Sequence, residues 1–258
     1  MTENEKYIFD LLGFIVVPNA LTTEQITDMN ALMDKQIEKE CKQDMKKYRF
    51  VALLHWGKPY RGLIDNPVIA PLLVELLGDN FRLDHDYAEI FRPGTGPLGR
   101  KLHGARFPFD PTQYFNFKGG RMRNGLTVVA YNLKDINPGD GGFCCVPGSH
   151  KSNYPFPDEW LDPDNAHPII KKITGAAGTA IIFTEALTHG TLAWYGKDDR
   201  RTIFYKYSPR SISWSADYYN ANDYPGLTER QSEILEPPNQ RHRERKLNKD
   251  EQNAAWIG

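Results

Sequence analysis

The chain contains few cysteines, no long apolar run and no basic N-terminal segment. Its three cysteines, Cys41, Cys144 and Cys145, are odd in number, and adjacent cysteines form a strained disulfide at best. No disulfide framework is therefore expected, which suits a reduced intracellular compartment. No stretch reaches the ~18 uninterrupted apolar residues of a membrane span, and the acidic first residues are unlike those of a signal peptide. We expect a soluble, cytoplasmic protein.

The chain also lacks an excess of charge of either sign. Its 32 basic and 33 acidic side chains leave a formal net charge of −1. That balance gives no electrostatic reason to bind nucleic acid or an anionic membrane surface. A small molecule is the expected partner, and the oligomeric state stays open. At 258 residues, of which 40% are apolar, the chain is expected to form a single domain.

The first eighty residues have the patterns of helices with one short strand. Residues 14–17 are apolar, rich in β-branched side chains and end at a proline, which indicates a strand. Thr22 and Gln25 form a capping-box pattern at the start of an amphipathic helix. A second helix is predicted from Pro67 to Leu77, with Asn66 as its N-cap and Gly78 as its C-terminal stop.

After residue 80 the pattern changes to short β-rich runs separated by Gly, Pro and Asp. The predicted strands are Phe81 to Phe91, Leu126 to Leu133, Phe143 to Val146, Thr179 to Phe183 and Thr202 to Tyr207. Helices followed by many short strands predict an α+β chain whose core is a β-sandwich or barrel. We expect a helical flank over about 1–80, core strands over about 81–210 and a polar tail or short exposed helix over about 228–258.

Two histidines and an arginine carry the strongest chemical signal. His103 lies in a glycine-rich segment, and His189 follows an apolar strand and begins a turn with Gly190 and Thr191. Arg200 comes eleven residues after His189. A guanidinium can bind a carboxylate through two parallel hydrogen bonds, and the Thr191 hydroxyl can add a contact. This order predicts a non-haem iron site with an anchor for a keto-acid co-substrate.

The same site lacks one expected group. A two-histidine iron site normally takes a carboxylate two residues after the first histidine, but Gly104 is followed by Ala105. Chloride, water or another carboxylate can fill that vacancy, and Glu185 and Asp110 are the nearest carboxylates in sequence. An acid at the end of an apolar strand, as Glu185 is, needs a metal or a basic partner. An ion pair with a nearby base is the alternative interpretation for Glu185.

Residues 137–151, ending in Val-Pro-Gly-Ser-His-Lys, resemble a segment of phytanoyl-CoA dioxygenase-like proteins. The spacing from His189 to Arg200 also resembles that family, and the likeness covers about residues 8–210. It implies a double-stranded β-helix, or cupin-like jelly roll, that uses Fe(II), 2-oxoglutarate and O2. By this resemblance His103 and His189 are metal ligands, Arg200 binds 2-oxoglutarate, and His150 belongs to a structural turn beside the site.

The vacancy at Ala105 leaves the reaction open. Non-haem iron halogenases resemble this sequence in having His-x-Ala or His-x-Gly, which implies chloride at the vacant position. A subgroup of the dioxygenase-like proteins with a Leu-His-Gly-Gly type motif and the same Glu-Ala-Leu-Thr-His-Gly turn favours C–H oxidation instead. We expect hydroxylation, cyclisation or desaturation ahead of halogenation, with succinate and CO2 as co-products. A non-catalytic jelly-roll binding protein is the third interpretation.

The substrate leaves only weak signals in the sequence. Basic side chains near the predicted site can bind a carboxylate or phosphate, although a solvated surface is the commoner explanation for each of them. They are Arg106, Arg121, Arg123, Lys206 and Arg210. Tyr131 and Trp194 are expected to line the pocket, with core packing as the alternative. These residues favour a small anionic metabolite.

Overall fold

The computed structural model describes residues 1–42, 44–96, 101–104, 109–162 and 167–239. Five α-helices occur in these ranges, and three of them begin at a threonine whose side chain caps the first turn. They are α1 Glu3–Leu12, α2 Thr23–Glu40, α3 Lys58–Arg61, α4 Ala70–Leu77 and α5 Glu229–Ile234. Thr2, Thr22 and Thr228 each close a capping box at the start of α1, α2 and α5.

Eleven strands form three antiparallel sheets within these described ranges. The strands are β1 Phe14–Val17, β2 Lys47–Val51, β3 Arg82–Phe91, β4 Phe115–Lys118, β5 Arg121–Asn124, β6 Thr127–Asn132, β7 Gly142–Cys145, β8 Lys171–Lys172, β9 Ala180–Thr184, β10 His189–Leu192 and β11 Arg200–Ser208. The major sheet has the order β1-β9-β6-β11-β3-β2, the minor sheet has the order β10-β7-β8, and β4 pairs with β5 in a hairpin.

The major sheet separates two apolar cores. On one face, side chains of β3, β6 and β11 pack against the helices in a core that includes Met29, Leu73 and Tyr205. On the other face, strands of the major sheet pack against the minor sheet, where Phe143 and Phe183 approach with ring centroids 4.7 Å apart. The chain therefore forms three layers: helices, the major sheet and the minor sheet. We call the space between the two sheets the interior.

Strand β11 supplies both faces of the major sheet because successive side chains of a strand point to opposite sides. Phe204 packs in the interior core, whereas Tyr205 packs in the helix-facing core. The same alternation places Arg200 and Lys206 on the interior face and Arg201 on the helix face. The pairing of β11 with β3 is regular from Arg200 to Lys206 and shifts between Lys206 and Tyr207, which marks a β-bulge.

The structure confirms much of the predicted secondary structure. Strand β1 covers residues 14–17 as predicted, the Thr22–Gln25 capping box is present, and all five predicted core strands occur with ends displaced by one or two residues. The three cysteines are free thiols. None of the helices in the described part of the chain is long and apolar enough to cross a membrane.

One predicted boundary was wrong. Helix α4 begins at Ala70 rather than at Pro67, because Asn66 Oδ1 accepts hydrogen bonds from Val68 and Ile69 in a preceding turn. Within the segment from about 228, where a polar tail or short exposed helix is predicted, the short helix α5 occurs. Ile234 and Leu235 at its end are buried in the helix-facing core rather than exposed. Residues 240–258 lie outside the described residues.

Candidate active site

His103 and His189 lie side by side, although they are far apart in the sequence. The backbone N–H of each residue donates to the carbonyl of the other, at 2.9 Å from His103 and 2.8 Å from His189. This antiparallel bridge places the two imidazole centroids 4.3 Å apart. The first residue of β10 thus extends the minor sheet toward the segment that carries His103.

Two glycines allow these segments to approach closely. Gly104 has φ = +90°, and a Cβ atom there would lie 2.3 Å from the Leu187 carbonyl oxygen. A Cβ atom on Gly190 would lie 2.7 Å from Leu102 Cδ2. Both distances are well below van der Waals contact. At Gly104 the neighbour is backbone, so a larger side chain there would push the two histidine-bearing segments apart, whereas at Gly190 the Leu102 side chain would have to move.

His189 is held in one orientation in the interior. Its ring packs beside the Phe183 and Phe143 rings, with centroid separations of 4.8 and 6.1 Å. Its Nδ1 lies 2.7 Å from the Leu187 carbonyl oxygen, which can only accept, so Nδ1 carries the proton and Nε2 has a free lone pair. Burial, which outweighs the attraction of Glu185, lowers the pKa of His189 to about 4. The ring is therefore neutral at pH 7, as a metal ligand must be.

Glu185 occupies the turn between β9 and β10 and is buried. Its Oε1 accepts a hydrogen bond from Lys206 Nζ at 2.5 Å, and its Oε2 lies 3.8 Å from His189 Nε2. Burial alone would raise the pKa of Glu185, but the Lys206 ammonium and then His189 outweigh it and lower that pKa to about 2. Burial likewise opposes the charge of Lys206, whose pKa is nevertheless raised by Glu185. The site therefore contains an ionised carboxylate, and the ion pair with a base that the sequence left open is present.

The predicted third-ligand candidates differ in where they lie. Asp110 Oδ1 accepts hydrogen bonds from the Thr112 amide and hydroxyl, at 2.8 and 2.6 Å, and so closes a local turn. Ala105 lies outside the described residues. In the described part of the chain, no three His, Cys, Asp or Glu side chains form a closed metal-binding cluster. The Glu185 carboxylate lies beside the two imidazoles, with its Oε2 3.8 Å from His189 Nε2.

The adjacent Arg200 and Arg201 serve different faces of the major sheet. Arg201 donates to Asn30 Oδ1 at 3.0 Å and pairs with Asp34 at 2.7 Å, so it fastens β11 to α2. Arg200 is 1% exposed, stacks on Phe91 with 5.2 Å between its Cζ and the ring centroid, and approaches the minor sheet at Gly142. Arg201 also pairs with Asp199 at 3.5 Å.

Thr191 shares the interior face of β10 with His189. Its strand partner is Phe143, and the partner of His189 is Cys145, and both partners belong to the interior core. His189 begins β10 rather than a turn, and the predicted turn instead covers Glu185 to Leu187. The extended backbone places His189 and Thr191 two residues apart on one face, opposite the face of β11 that carries Arg200.

The residues expected to line a substrate pocket mostly lie elsewhere. Tyr131 is fully buried in the helix-facing core, and Trp194 is buried against Phe91 and Ile136 while its indole N–H donates to the Asp198 carbonyl at 2.9 Å. Arg121 and Arg123 are exposed on the β4–β5 hairpin. Arg210 donates to carbonyls of Asn80 and Glu233 and so has a structural role. Arg106 lies outside the described residues. Of the six that are described, Lys206 is the one that lies beside Glu185.

The turn containing His150 has the structural role expected for it. His150 is buried in a short 3₁₀ helix, Ser149–Lys151, and its Nε2 lies 3.1 Å from the Asp10 carbonyl oxygen. Lys151 pairs with the Asp10 carboxylate at 2.7 Å. The Ser149 hydroxyl accepts a hydrogen bond from the Thr188 amide at 2.8 Å. The turn therefore ties α1 to the residue that precedes His189.

Sequence reasoning missed a group of side chains on β2 and β3. Arg49 and Tyr87 lie at the open edge of the interior face, with Arg49 Cζ 3.8 Å from the Tyr87 ring centroid. His85 and Trp214 continue this row. Alternation in residues 85–91 was the available signal, but strand β2 was not predicted, and it supplies Arg49.

A comparison with protein families matches residues 9–202 to phytanoyl-CoA dioxygenase (PhyH). The chain belongs to this family. A provisionally named phytanoyl-CoA dioxygenase of Dictyostelium discoideum is 21% identical over 293 residues, which cover 91% of this chain and 84% of that protein.

Solved structures resemble the fold of this family member over most of its length. HygX from Streptomyces hygroscopicus, with nickel and 2-oxoglutarate bound, has a TM-score of 0.72 at 22% identity and covers 88% of this chain and 95% of its own. SnoK, a non-haem alpha-ketoglutarate-dependent carbocyclase from nogalamycin biosynthesis, has a TM-score of 0.62 at 16% identity and covers 82% of this chain and 85% of its own. At these identities the likeness establishes the fold.

Proposed function

We propose that this protein is an Fe(II)/2-oxoglutarate-dependent oxygenase that oxidises an unactivated C–H bond of a small anionic metabolite. The observation that carries the proposal is the backbone bridge that joins His103 to His189 and leaves His189 Nε2 free. Family membership supports it, as do the 2-oxoglutarate bound in HygX and the cofactor dependence stated for SnoK. The two facing sheets are consistent with a double-stranded β-helix, which we propose as the topology.

In this proposal His103 and His189 are the imidazole ligands of the metal. Glu185 is the third ligand because its Oε2 faces His189, while Lys206 holds Oε1 and fixes the carboxylate. This arrangement supplies the carboxylate that Ala105 does not. When bound, Fe(II), 2-oxoglutarate and O2 supply an oxidant able to break a C–H bond, with succinate and CO2 as co-products.

The remaining interior residues bind the co-substrate and limit the access of water. Arg200 offers a planar guanidinium that suits the far carboxylate of 2-oxoglutarate, and Thr191 offers a hydroxyl on the facing strand. Phe143 and Phe183 surround His189 with apolar surface. Exclusion of water there strengthens the electrostatic interactions of the site.

Two other interpretations remain as outcomes of the test. The halogenase interpretation finds no support in the compared proteins, and Glu185 beside His189 favours a carboxylate over chloride at the third position. The non-catalytic interpretation predicts no turnover. We also propose that this chain belongs to a subgroup of the family that lacks the carboxylate of the His-x-Asp motif, since its residue 105 is alanine.

The decisive experiment measures succinate released from 2-oxoglutarate with and without added Fe(II), in chloride-free and chloride-containing buffer. We expect release that depends on iron and is unaffected by chloride. No iron-dependent release together with no iron binding would overturn the proposal and favour a binding protein. A chlorinated product formed only with chloride would instead identify a halogenase.

A further inference from the structure

A second group of side chains lines a cavity of about 340 Å³ at the open edge of the major sheet. Strands β2 and β3 form one wall, and residues of the 214–224 segment form the other. The side chains used in the argument below are Arg49, His85 and Tyr87 of the first wall and Trp214 of the second. None of them is involved in binding the metal or 2-oxoglutarate as proposed above.

The cavity adjoins the proposed metal site through Lys206. On the interior face, His85 is the strand partner of Lys206 and Tyr87 is the strand partner of Phe204. Lys206 Nζ lies 5.6 Å from the Tyr87 ring centroid and 2.5 Å from Glu185 Oε1. Tyr87 is therefore separated from the proposed metal ligands by a single side chain.

The wall of the cavity is a row of nearly parallel rings. His85 and Tyr87 stack with 6.2 Å between centroids and 14° between planes, and Tyr87 and Phe204 stack with 4.7 Å and 18°. Trp214 lies 5.0 Å from His85 and is 53% exposed. A flat apolar body can continue such a row by offset stacking.

A β-bulge holds the outer wall in place. His85 pairs with Lys206 and Leu83 pairs with Tyr207, so Asp84 is the extra residue of β3. Its buried carboxylate accepts hydrogen bonds from the backbone amides of Trp214 and Ser215, at 2.9 and 3.0 Å, and pairs with Arg82 at 2.9 Å. Trp214 is thus anchored over His85 by the strand itself.

The charge available to a ligand in this cavity is that of Arg49. Its guanidinium stacks on Tyr87, and within the described part of the chain no ion pair joins it to a carboxylate, including Glu89, its strand partner. Stacking occupies the face of a guanidinium and leaves its N–H donors in the plane of the group. Two acids of the cavity already have partners. Asp84 accepts from the Trp214 and Ser215 amides and pairs with Arg82, and Asp86 accepts from the Leu53 amide and the Tyr219 hydroxyl. Asp217 lies on the exposed rim.

We propose that this cavity is the substrate subsite and takes a small carboxylic acid with a planar apolar body. The planar body lies along Tyr87, His85 and Trp214, and Arg49 binds the carboxylate. The interpretation of the bound molecule as the substrate rests on the function proposed above. The subsite itself can be tested without iron.

The test is calorimetric titration of the iron-free protein with 3-phenylpropanoate, its neutral analogue 3-phenylpropan-1-ol, and phenyl phosphate. We expect 3-phenylpropanoate to bind most tightly and Arg49→Met to weaken its binding at least about tenfold, since a bidentate charged hydrogen bond is lost. Binding of the alcohol should not change. Arg49→Lys should retain part of the affinity, because it keeps the charge but loses the two-pronged geometry.

Lys35→Met is the matched control, since it removes one exposed positive charge from α2, on the other side of the major sheet. It should bind the acid as the wild type does. The indole NMR signal of Trp214, assigned with Trp214→Phe, should shift on addition of the acid. The proposal is wrong if none of the probes binds, if Arg49→Met binds the acid like the wild type, or if phenyl phosphate binds more tightly than the acid.

The two proposals can fail separately. If Arg49→Met loses acid binding and the wild-type protein releases no succinate with added iron, the subsite is sustained and the oxygenase function is overturned. Normal succinate release with unchanged acid binding in Arg49→Met would sustain the oxygenase function and overturn the subsite.

Discussion

Glu185 Oε2 lies 3.8 Å from His189 Nε2, with Glu185 at the start of a turn and His189 at the start of the strand that follows it. Lys206 holds the other carboxylate oxygen at 2.5 Å. One buried carboxylate therefore faces a neutral imidazole through one oxygen and an ammonium through the other. The ion pair and the proposed metal contact use different atoms, so both roles of Glu185 can be tested separately.

Glu185→Gln and Lys206→Met should have similar effects on stability but different effects on metal binding. Each change leaves a buried charge without its partner, which costs about 3 kcal/mol in the free energy of unfolding. The double variant should recover much of that loss because it buries neither charge. Urea unfolding of the metal-free proteins measures all three.

Metal titration of the same variants distinguishes a ligand from a purely structural acid. We expect Glu185→Gln to weaken Fe(II) binding at least about tenfold, as removal of a ligand should exceed the effect of removing its outer-shell partner. Lys206→Met retains the carboxylate and should bind Fe(II) more tightly than Glu185→Gln. Equal Fe(II) affinity in the two variants would show that Glu185 is only the partner of Lys206.

His103→Ala should abolish iron-dependent succinate release while leaving the fold intact. His103 is exposed, so its truncation creates no buried cavity, whereas it removes one of the two proposed imidazole ligands. Its Tm without metal should match that of the wild type, and iron should no longer raise it. His167→Ala, a change in a histidine stacked on Trp160, is the control and should keep activity. Retained turnover in His103→Ala would exclude His103 as a ligand.

Gly104→Ala should weaken metal binding because it separates the two histidine-bearing segments. The new Cβ would lie 2.3 Å from the Leu187 carbonyl oxygen, whose residue also orients His189. Gly94→Ala is a matched control: Gly94 also has a positive φ, +68°, but no atom lies within 4 Å of its Cβ position. An alanine at positive φ destabilises the backbone in both variants. Only Gly104→Ala adds a steric clash, so Fe(II) affinity should fall in that variant alone. A similar fall in both would argue against the close approach as the cause.

Arg200→Lys should affect the binding of 2-oxoglutarate, whereas Arg201→Lys should affect the stability of the fold. Arg200→Lys loses the planar fork and should weaken 2-oxoglutarate binding at least about tenfold with little change in Tm. Arg201→Lys loses its combined contacts with Asn30 and Asp34 on α2 and should lower the free energy of unfolding by about 1 kcal/mol without affecting 2-oxoglutarate. Calorimetry with 2-oxoglutarate and thermal unfolding check both. The reverse pattern would exchange the proposed roles.

Local patterns predicted the elements of this fold better than their contacts. The capping box at Thr22 and the apolar strands depend on nearby residues and could be recognised. The start of α4 was misplaced because Asn66 caps a turn that precedes the helix. The sequence placed His103, His189 and Arg200 in one site from their order. The family resemblance assigned 2-oxoglutarate to Arg200, but no local pattern shows that Arg200 rather than Arg201 faces the interior, because that depends on the register of β11 with β3.

The missed parts of the site depend on contacts between distant segments. Lys206 reaches Glu185 only because β11 and the turn after β9 meet at the interior. Arg49 reaches Tyr87 because β2 pairs with β3, and Trp214 is drawn in by Asp84. No periodicity in the sequence encodes these pairings, since each requires the sheet to be assembled first.

The bulge at Asp84 connects two parts of the protein that tolerate sequence change differently: the strands and the segment that contains Trp214. His189 and Arg200 lie on strands, where an insertion of one residue would reverse the direction of every following side chain. Trp214 and its neighbours lie on a connecting segment that the strand holds by its backbone amides. Because such hydrogen bonds do not depend on side-chain identity, residues of that segment can be exchanged without loosening it. Under the proposed subsite, exchanges in this one segment would change the ligand that the protein binds without moving the strands that carry His189 and Arg200.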